Sequence, residues 1–146
     1  MSEQRKLEGI IFSDLGAAAD FMALDWVQQA LKLSLGFAPF PATLNLRPKT
    51  HEDAMAWERV QKELKGMDLF PPSSGFCTAQ IFFVEIGRAA MTDGVTVKGA
   101  VLLPEVANYP KDKVEVVAPV RLKDHFGVGD GDQLTVEFIN WITSEN

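Results

Sequence analysis

The chain has 146 residues, 47% of them hydrophobic and 23% charged, which suits one globular domain with a sizeable core and excludes wholesale disorder. Its net charge of -6 and pI near 4.9 argue against a nucleic-acid surface, because phosphate binding needs clustered Lys and Arg. The single cysteine, Cys77, excludes an internal disulfide, and two histidines are too few for the usual zinc sites. We therefore expect one domain over residues 1–146 of a cytoplasmic protein that binds neither nucleic acid nor membrane.

The first half of the chain alternates predicted strands with predicted helices. Residues 7–13 form the first predicted strand, and apolar residues at near-helical spacing predict a helix over most of 22–34, stopped by Gly36. The proline-rich turn "GFAPFP" then leads into a strand at 42–47. A second helix is predicted over 52–65, with acidic residues at its start and Gly66 at its end.

The second half is mostly β. Strands are predicted at 79–86, 95–103, 113–118 and 133–142, and "TDG" marks a hairpin between the first two of these. "VRLKDHFG", with a proline before it and a glycine at its end, predicts a short helix. Strands outnumber helices and several connections are short. The predicted fold is therefore mainly β with α, a closed six-stranded barrel with one or two covering helices.

Three stretches could carry chemistry. The first, "FSDLGAAADF", joins a strand to a helix through small residues, an arrangement that can place backbone N–H groups around phosphates. It holds only one glycine, Gly16, and the acidic Asp14 and Asp20 oppose a phosphate. From these residues alone, an ordinary strand-to-helix connection is the more frequent structure.

The second stretch is "TLNL". Alternation along a strand places the side chains of Thr43 and Asn45 on one face, where two neutral oxygens could help to hold a hard cation such as Mg²⁺. Solvated strand residues are the more common case.

The third stretch is "KVEVVAPVRLKDHFG". Glu115 alternates with valines, so it is either the exposed side of a half-buried strand, which is more common, or an acid placed for proton transfer. Arg121 and Lys123 lie in the first turn of the short helix, where the dipole favours acids instead. They are either solvated charges or contacts for an anionic ligand. His51, His125 and Cys77 receive no chemical role.

Taken together, four segments resemble the archaeal-type CTP-dependent riboflavin kinases: "LEGIIFSDLG", "LGFAPFPATLNL", "KGAVLLPEVANYP" and "VEVVAPVRLKDHFGVGDGDQLTVEF". The resemblance covers roughly residues 7 to 140 and implies a cradle-loop β-barrel that transfers phosphate from CTP to riboflavin. It implies Mg²⁺ ligands at Thr43 and Asn45, and flavin contacts at Ala107 and Glu115, the latter also catalytic. It implies nucleotide contacts at Asp14, Leu15, Gly16, Ala17, Ala18, Ala19, Val120, Arg121, Leu122 and Lys123.

This chain departs from the family pattern at several of those positions. Asp14 and Ala18 stand where family members carry glycines, and Ala19 stands at a basic position. The glycine of "GTLN" is Ala42, and the threonine of "T-x-Y-P" is Ala107. A side chain at a close-approach glycine obstructs phosphate, and an aspartate also repels it. Three functions therefore stay open: a kinase, a non-catalytic ligand-binding or interaction domain on the same barrel, and a barrel that mainly oligomerises.

Overall fold

The computed structural model describes residues 5–13, 22–64, 66–69, 78–88, 94–107 and 109–139. These residues form seven strands and three helices. The strands are β1 (Lys6–Phe12), β2 (Leu44–Pro48), β3 (Met67–Leu69), β4 (Ala79–Gly87), β5 (Thr96–Pro104), β6 (Val114–Val117) and β7 (Gln133–Phe138). The helices are α1 (Asp25–Leu35), α2 (His51–Glu63) and α3 (Leu122–Phe126).

Six of the strands close into a barrel. The sheet runs β4-β5-β6-β2-β1-β7, all neighbours antiparallel, and β7 pairs with β4 to complete the ring. Closure leaves these strands without an open edge at which another chain could pair. The predicted six-stranded barrel is confirmed. A seventh strand, β3, pairs only with β4 and lies outside the ring among the described strands.

Several predicted boundaries were wrong. The strand predicted from residue 42 begins at Leu44, because Ala42 is still in the turn and donates its N–H to the Phe40 carbonyl, 2.7 Å away. The second helix ends at Glu63 with an extended cap at Leu64 rather than at Gly66. The last strand ends at Phe138; residues 140–142 of its predicted range lie outside the described part. The described residues contain the three helices that were predicted, two longer ones and the short one of "VRLKDHFG".

Alternating side chains fill the inside of the barrel. Leu44 and Leu46 of β2 meet Val114 and Val116 of β6 in one buried cluster, so the intervening Asn45 and Glu115 belong to the outer face. α2 covers this cluster with Trp57, whose ring is stacked on Phe138 with centroids 5.7 Å apart.

The outer face of the sheet is covered by α1. Its buried residues Val27, Leu31 and Leu35 pack with outward-facing strand residues such as Ala100 and Val117 in a second cluster. Gly36 ends the helix in the left-handed conformation with φ 85°, as predicted, and its N–H bonds the Lys32 carbonyl. Within the described ranges, the three helices are too short and too polar to cross a bilayer.

Candidate functional site

Asn45 and Glu115 are cross-strand neighbours on the outer face of the barrel. They are directly paired between β2 and β6, and each residue is only 7% exposed. Glu115 also pairs with Leu102 of β5 on its other side. Of the two alternatives for Glu115, the more common one, an acid on the exposed side of a half-buried strand, is therefore wrong. A carboxylate buried this far needs partners, because desolvation of an unpaired charge is costly.

Two residues of the preceding segment supply those partners. The Tyr109 hydroxyl donates a hydrogen bond to Glu115 Oε2. Lys113 Nζ lies 3.8 Å from the same oxygen, and 5.9 Å from the centroid of the Tyr109 ring. Sequence reasoning missed both residues. The signal for Lys113 was its i, i+2 spacing to Glu115, which puts both side chains on one face of the chain. The signal for Tyr109 was its place as the tyrosine of the "T-x-Y-P" pattern, from which only Ala107 was singled out.

Asn45 carries a polar atom that has no hydrogen-bond partner. Its side-chain oxygen Oδ1 is buried, and no described residue donates to it. Such an atom costs roughly 1–3 kcal/mol in a folded protein unless a ligand, water or ion satisfies it. An unpartnered neutral oxygen is a donor that hard divalent cations accept. The residues present therefore fit a divalent cation, although no cluster of three His, Cys, Asp or Glu occurs among the described residues.

Thr43 lies outside the strand that was predicted to contain it. It precedes β2 by one residue and faces a small cavity of about 100 Å³. The opposite wall of that cavity is the segment predicted to contact the nucleotide: Val120, Arg121, Leu122 and Lys123. The fold thus brings together two stretches separated by about 75 residues in the sequence. The Leu122 side chain packs in the barrel core, so only its backbone is available to a ligand.

The basic residues of this wall are paired with acids. Arg121 is the N-cap residue of α3 and bonds Asp124 at 2.8 Å. Lys123 Nζ lies 3.2 Å from Asp130 Oδ1 and 3.3 Å from Ser13 Oγ. These acids offset the unfavourable position of the two cations near the helix start, which the sequence analysis left unexplained.

Asp130 ties this wall to the end of β1. Ser13 Oγ donates to Asp130 Oδ1 at 2.9 Å, and that bond, together with the one from Lys123, holds the pKa of Asp130 below its usual value. Two backbone bonds, Ile11 N to the Asp132 carbonyl and Gly131 N to the Ile11 carbonyl, reinforce the contact. Ser13 is the last described residue before the predicted phosphate loop. Asp14, Leu15, Gly16, Ala17, Ala18 and Ala19 lie outside the described residues.

A larger groove is lined by Tyr109, the residue whose hydroxyl bonds Glu115. It has a volume of about 640 Å³ and is lined by α2, the end of β5 and residues 105, 106 and 109–111. Its walls combine the rings of Trp57 and Tyr109 with polar side chains that include Gln61 and Lys62. Ala107, the predicted flavin contact, is exposed, but it is not one of the described residues that line this groove. Tyr109 therefore belongs to both places: its ring lines the groove and its hydroxyl holds Glu115.

Most of the chain is similar to known proteins. A family model named for the CTP-dependent riboflavin kinases, and described as a domain of unknown function, matches residues 11–138. The chain is 36% identical over 132 residues to a riboflavin kinase of Pyrobaculum calidifontis, covering 90% of this chain and 59% of that protein. A riboflavin kinase of Archaeoglobus fulgidus is 34% identical over 134 residues, covering 92% and 54%.

The chain thus spans little more than half the length of these two relatives. A riboflavin kinase of Methanobrevibacter smithii is different in length: the match, at 30% identity, covers 91% of this chain and 99% of that protein. The match to the family model contains five strands of the closed barrel in full and the last two residues of β1, and it includes Thr43, Asn45, Glu115 and the 120–123 segment. The chain belongs to the CTP-dependent riboflavin kinase domain family.

Proposed function

We propose that this protein is a riboflavin-kinase-like phosphotransferase that moves a phosphate from a pyrimidine nucleotide, CTP, to riboflavin or a similar alcohol. The observation that carries the proposal is the buried Glu115 carboxylate directly beside the unpartnered oxygen of Asn45. A proton acceptor next to an oxygen that could hold a divalent cation suits such a transfer. Family membership and the relatives named riboflavin kinase support the same reaction.

Asn45 Oδ1 and the Thr43 hydroxyl are the residues that would hold Mg²⁺. When bound, Mg²⁺ supplies positive charge that offsets the charge of the nucleotide phosphates during transfer. Two neutral protein ligands compensate little of the cost of dehydrating Mg²⁺, so we expect the nucleotide to contribute most of the remaining affinity. Mg²⁺ binding without nucleotide is then weak.

Glu115 orients the attacking alcohol. In the transfer, the hydroxyl oxygen forms a bond to the terminal phosphorus of the nucleotide, the bond from that phosphorus to the bridging oxygen breaks, and the diphosphate leaves. The hydroxyl proton passes to the Glu115 carboxylate. The volume of the groove beside Tyr109 and the aromatic residues that line it support a flavin ring as its ligand.

The nucleotide would occupy the cavity between Thr43 and the 120–123 segment, and extend toward the loop that begins after Ser13. Arg121 is exposed there, and its bond to Asp124 is at the surface, where a phosphate can compete for it at low cost. The acidic composition and single cysteine favour a cytoplasmic protein.

The decisive experiment incubates the purified protein with riboflavin, Mg²⁺ and either CTP or ATP, and measures FMN by chromatography. We expect FMN formation with CTP. Glu115→Gln should lower kcat by two orders of magnitude or more, the usual contribution of general-base catalysis being about 10² to 10⁴. Asn45→Ala should abolish the Mg²⁺ dependence of nucleotide binding. Absence of FMN with either nucleotide would reject the kinase and favour a non-catalytic flavin- or nucleotide-binding domain.

The altered glycine loop is the specific reason to retain the non-catalytic ligand-binding domain as a second candidate function. Asp14 places an anion near the predicted phosphate position and Ala18 adds a Cβ where backbone would approach it. We expect the Asp14→Gly/Ala18→Gly double variant to bind CTP about tenfold more tightly, equivalent to about 1.4 kcal/mol. Calorimetric titration with CTP measures this, with riboflavin affinity as the control that should not change. Equal CTP affinity in parent and double variant would show that the loop does not limit binding.

A further inference from the structure

The two oxygens of the Glu115 carboxylate are in different situations. Oε2 accepts the hydrogen bond from the Tyr109 hydroxyl and faces Lys113 Nζ at 3.8 Å. Oε1 accepts no hydrogen bond from the described residues, and it is not fully buried. One oxygen is therefore held and the other is open to a ligand. A free carboxylate side chain would instead rotate between equivalent positions.

We propose that Tyr109 is a positioning residue for Glu115: its hydroxyl fixes Oε2 so that Oε1 faces the alcohol to be phosphorylated. The inference rests on the proposed transfer reaction and names the residue that makes Glu115 competent in it. Tyr109 also joins the acid to the larger groove, since its ring is part of the groove wall. One side chain, Tyr109, thus determines the position of the acid relative to the ligand that carries the alcohol.

The local sequence explains why Glu115 keeps this position. Glu115 and Lys113 share one face of the chain at the start of β6, and β6 is bonded on both sides, to β2 and to β5. The acid therefore sits on a rigid element, while Tyr109 comes from the connection before it. Effective proton transfer needs the acceptor within hydrogen-bond reach of the hydroxyl, and a rotation of the carboxylate would move Oε1 out of that reach.

The phenylalanine variant separates the two roles of Tyr109. Tyr109→Phe keeps the ring in the groove wall and removes only the hydroxyl. We expect kcat for FMN formation to fall about tenfold or more, the loss typical of removing a hydrogen bond to a charged group. KM for riboflavin, and its Kd measured by flavin fluorescence, should change less than twofold. Tyr109→Ala removes the ring as well and should weaken riboflavin binding too.

Thr96→Val is the matched control. Thr96 also donates its hydroxyl to a carboxylate, Glu85 Oε1 at 3.3 Å, but at the opposite end of β5 from the groove. Valine keeps the β-branched shape on the strand. The kcat of Thr96→Val should equal that of the parent protein. If deleting any hydroxyl-to-carboxylate hydrogen bond lowered kcat, both variants would lose activity alike, and the proposal would be overturned. An unchanged kcat in Tyr109→Phe would overturn it as well.

A second measurement does not depend on turnover. Tyr109 is the only tyrosine in the chain, so labelling tyrosine with ¹³C at Cζ gives one resonance. We expect Glu115→Gln to shift it, because the partner of the phenol changes from an anion to a neutral amide, and Glu85→Gln to leave it in place. If parent protein makes no FMN but the resonance still responds to Glu115, the transfer reaction is rejected while the Tyr109–Glu115 contact stands. No response to Glu115→Gln overturns the positioning role, whatever the activity.

Discussion

The basic side chains of the 120–123 segment are paired with acidic residues. Arg121 bonds Asp124, and Lys123 is shared by Asp130 and Ser13. All of these groups are at or near the surface, where a single pair contributes little to stability. Their importance is geometric: the Lys123 network joins α3 to the end of β1, and so fixes the point from which the predicted phosphate loop leaves the barrel.

The first residue-scale prediction concerns Asp130 and pH. Its pKa is lowered, first by the Ser13 hydrogen bond and then by Lys123, so it stabilises the fold above the usual aspartate pKa of about 3.9. That contribution should disappear as pH falls through the lower pKa of the folded state. Denaturant unfolding of parent and Asp130→Asn should therefore differ at pH 7 and converge at strongly acidic pH. Ser13→Ala should reduce the difference; a pH-independent difference would contradict this account.

The second prediction concerns two glycines. A Cβ on Gly99 of β5 would meet the Val117 carbonyl oxygen of β6 well inside van der Waals contact, and backbone cannot move aside without breaking the pairing. Gly99→Ala should cost about 1–3 kcal/mol, as overpacking does. Gly129 has open space around its Cβ position and no positive φ, so Gly129→Ala is the matched control and should be neutral. Thermal unfolding measures both; equal melting temperatures would refute the clash.

At the scale of elements, α2 is fixed to the barrel by its first turn. Thr50 Oγ1 accepts the Asp53 N–H at 3.1 Å, while Asp53 Oδ2 accepts from the Thr50 N–H at the same distance, a complete capping box. Asp53 Oδ1 also accepts the N–H of Glu8 in β1 at 3.0 Å. One side chain therefore both starts the helix and attaches it to a strand 45 residues away.

This double role predicts unequal costs within one helical turn. Thr50→Ala should lose about 1 kcal/mol of unfolding free energy, the usual cost of a lost N-cap. Asp53→Ala should lose more, because the bond to Glu8 is broken as well and that strand N–H loses its partner. Glu52→Ala, in the same turn and exposed, serves as control and should cost a few tenths of a kcal/mol. Equal losses for Thr50→Ala and Asp53→Ala, measured by chemical denaturation, would show that the Glu8 bond adds nothing.

At the scale of the whole molecule, the barrel interior depends on one large ring. Trp57 is 2% exposed and lies against Phe82 and Phe138, with ring centroids 5.9 and 5.7 Å away. Phe82 is on β4 and Phe138 on β7, the two strands whose pairing closes the ring. Trp57 thus connects α2 to the seam of the barrel and also lines the groove proposed for the flavin.

Removing this ring should affect stability and ligand binding together. Trp57→Ala should cost about 3–5 kcal/mol, typical of an aromatic deletion in a core, and Trp57→Phe clearly less. Riboflavin affinity should weaken in Trp57→Ala even at temperatures where the variant is fully folded. Unfolding curves followed by circular dichroism and flavin fluorescence titrations give both quantities. An alanine variant of parental stability would mean that the barrel seam does not depend on Trp57.

Much of the barrel was predictable because alternation has a local cause. Valines at 114 and 116 and leucines at 44 and 46 define inner faces in the sequence itself, and their strands were found within a few residues. β3 was not predicted, since three residues show no period and its pairing with β4 is a tertiary contact. Among site residues, Thr43 was named from strand alternation, Arg121 and Lys123 from their place in the short helix, and the resemblance added Val120 and Leu122. Their meeting in one cavity appeared only in the structure.

The sequence by itself determined the class of fold, the order of most strands and the residues that resemble a riboflavin kinase, because periodicity, turn residues and motifs are properties of neighbours along the chain. The tertiary structure decided the state of the polar groups. Whether Glu115 is solvated or buried, which hydroxyl holds it and whether Asn45 keeps an unpartnered oxygen depend on side chains from distant elements. Desolvation and hydrogen-bond geometry are set by that packing, and no local pattern encodes them.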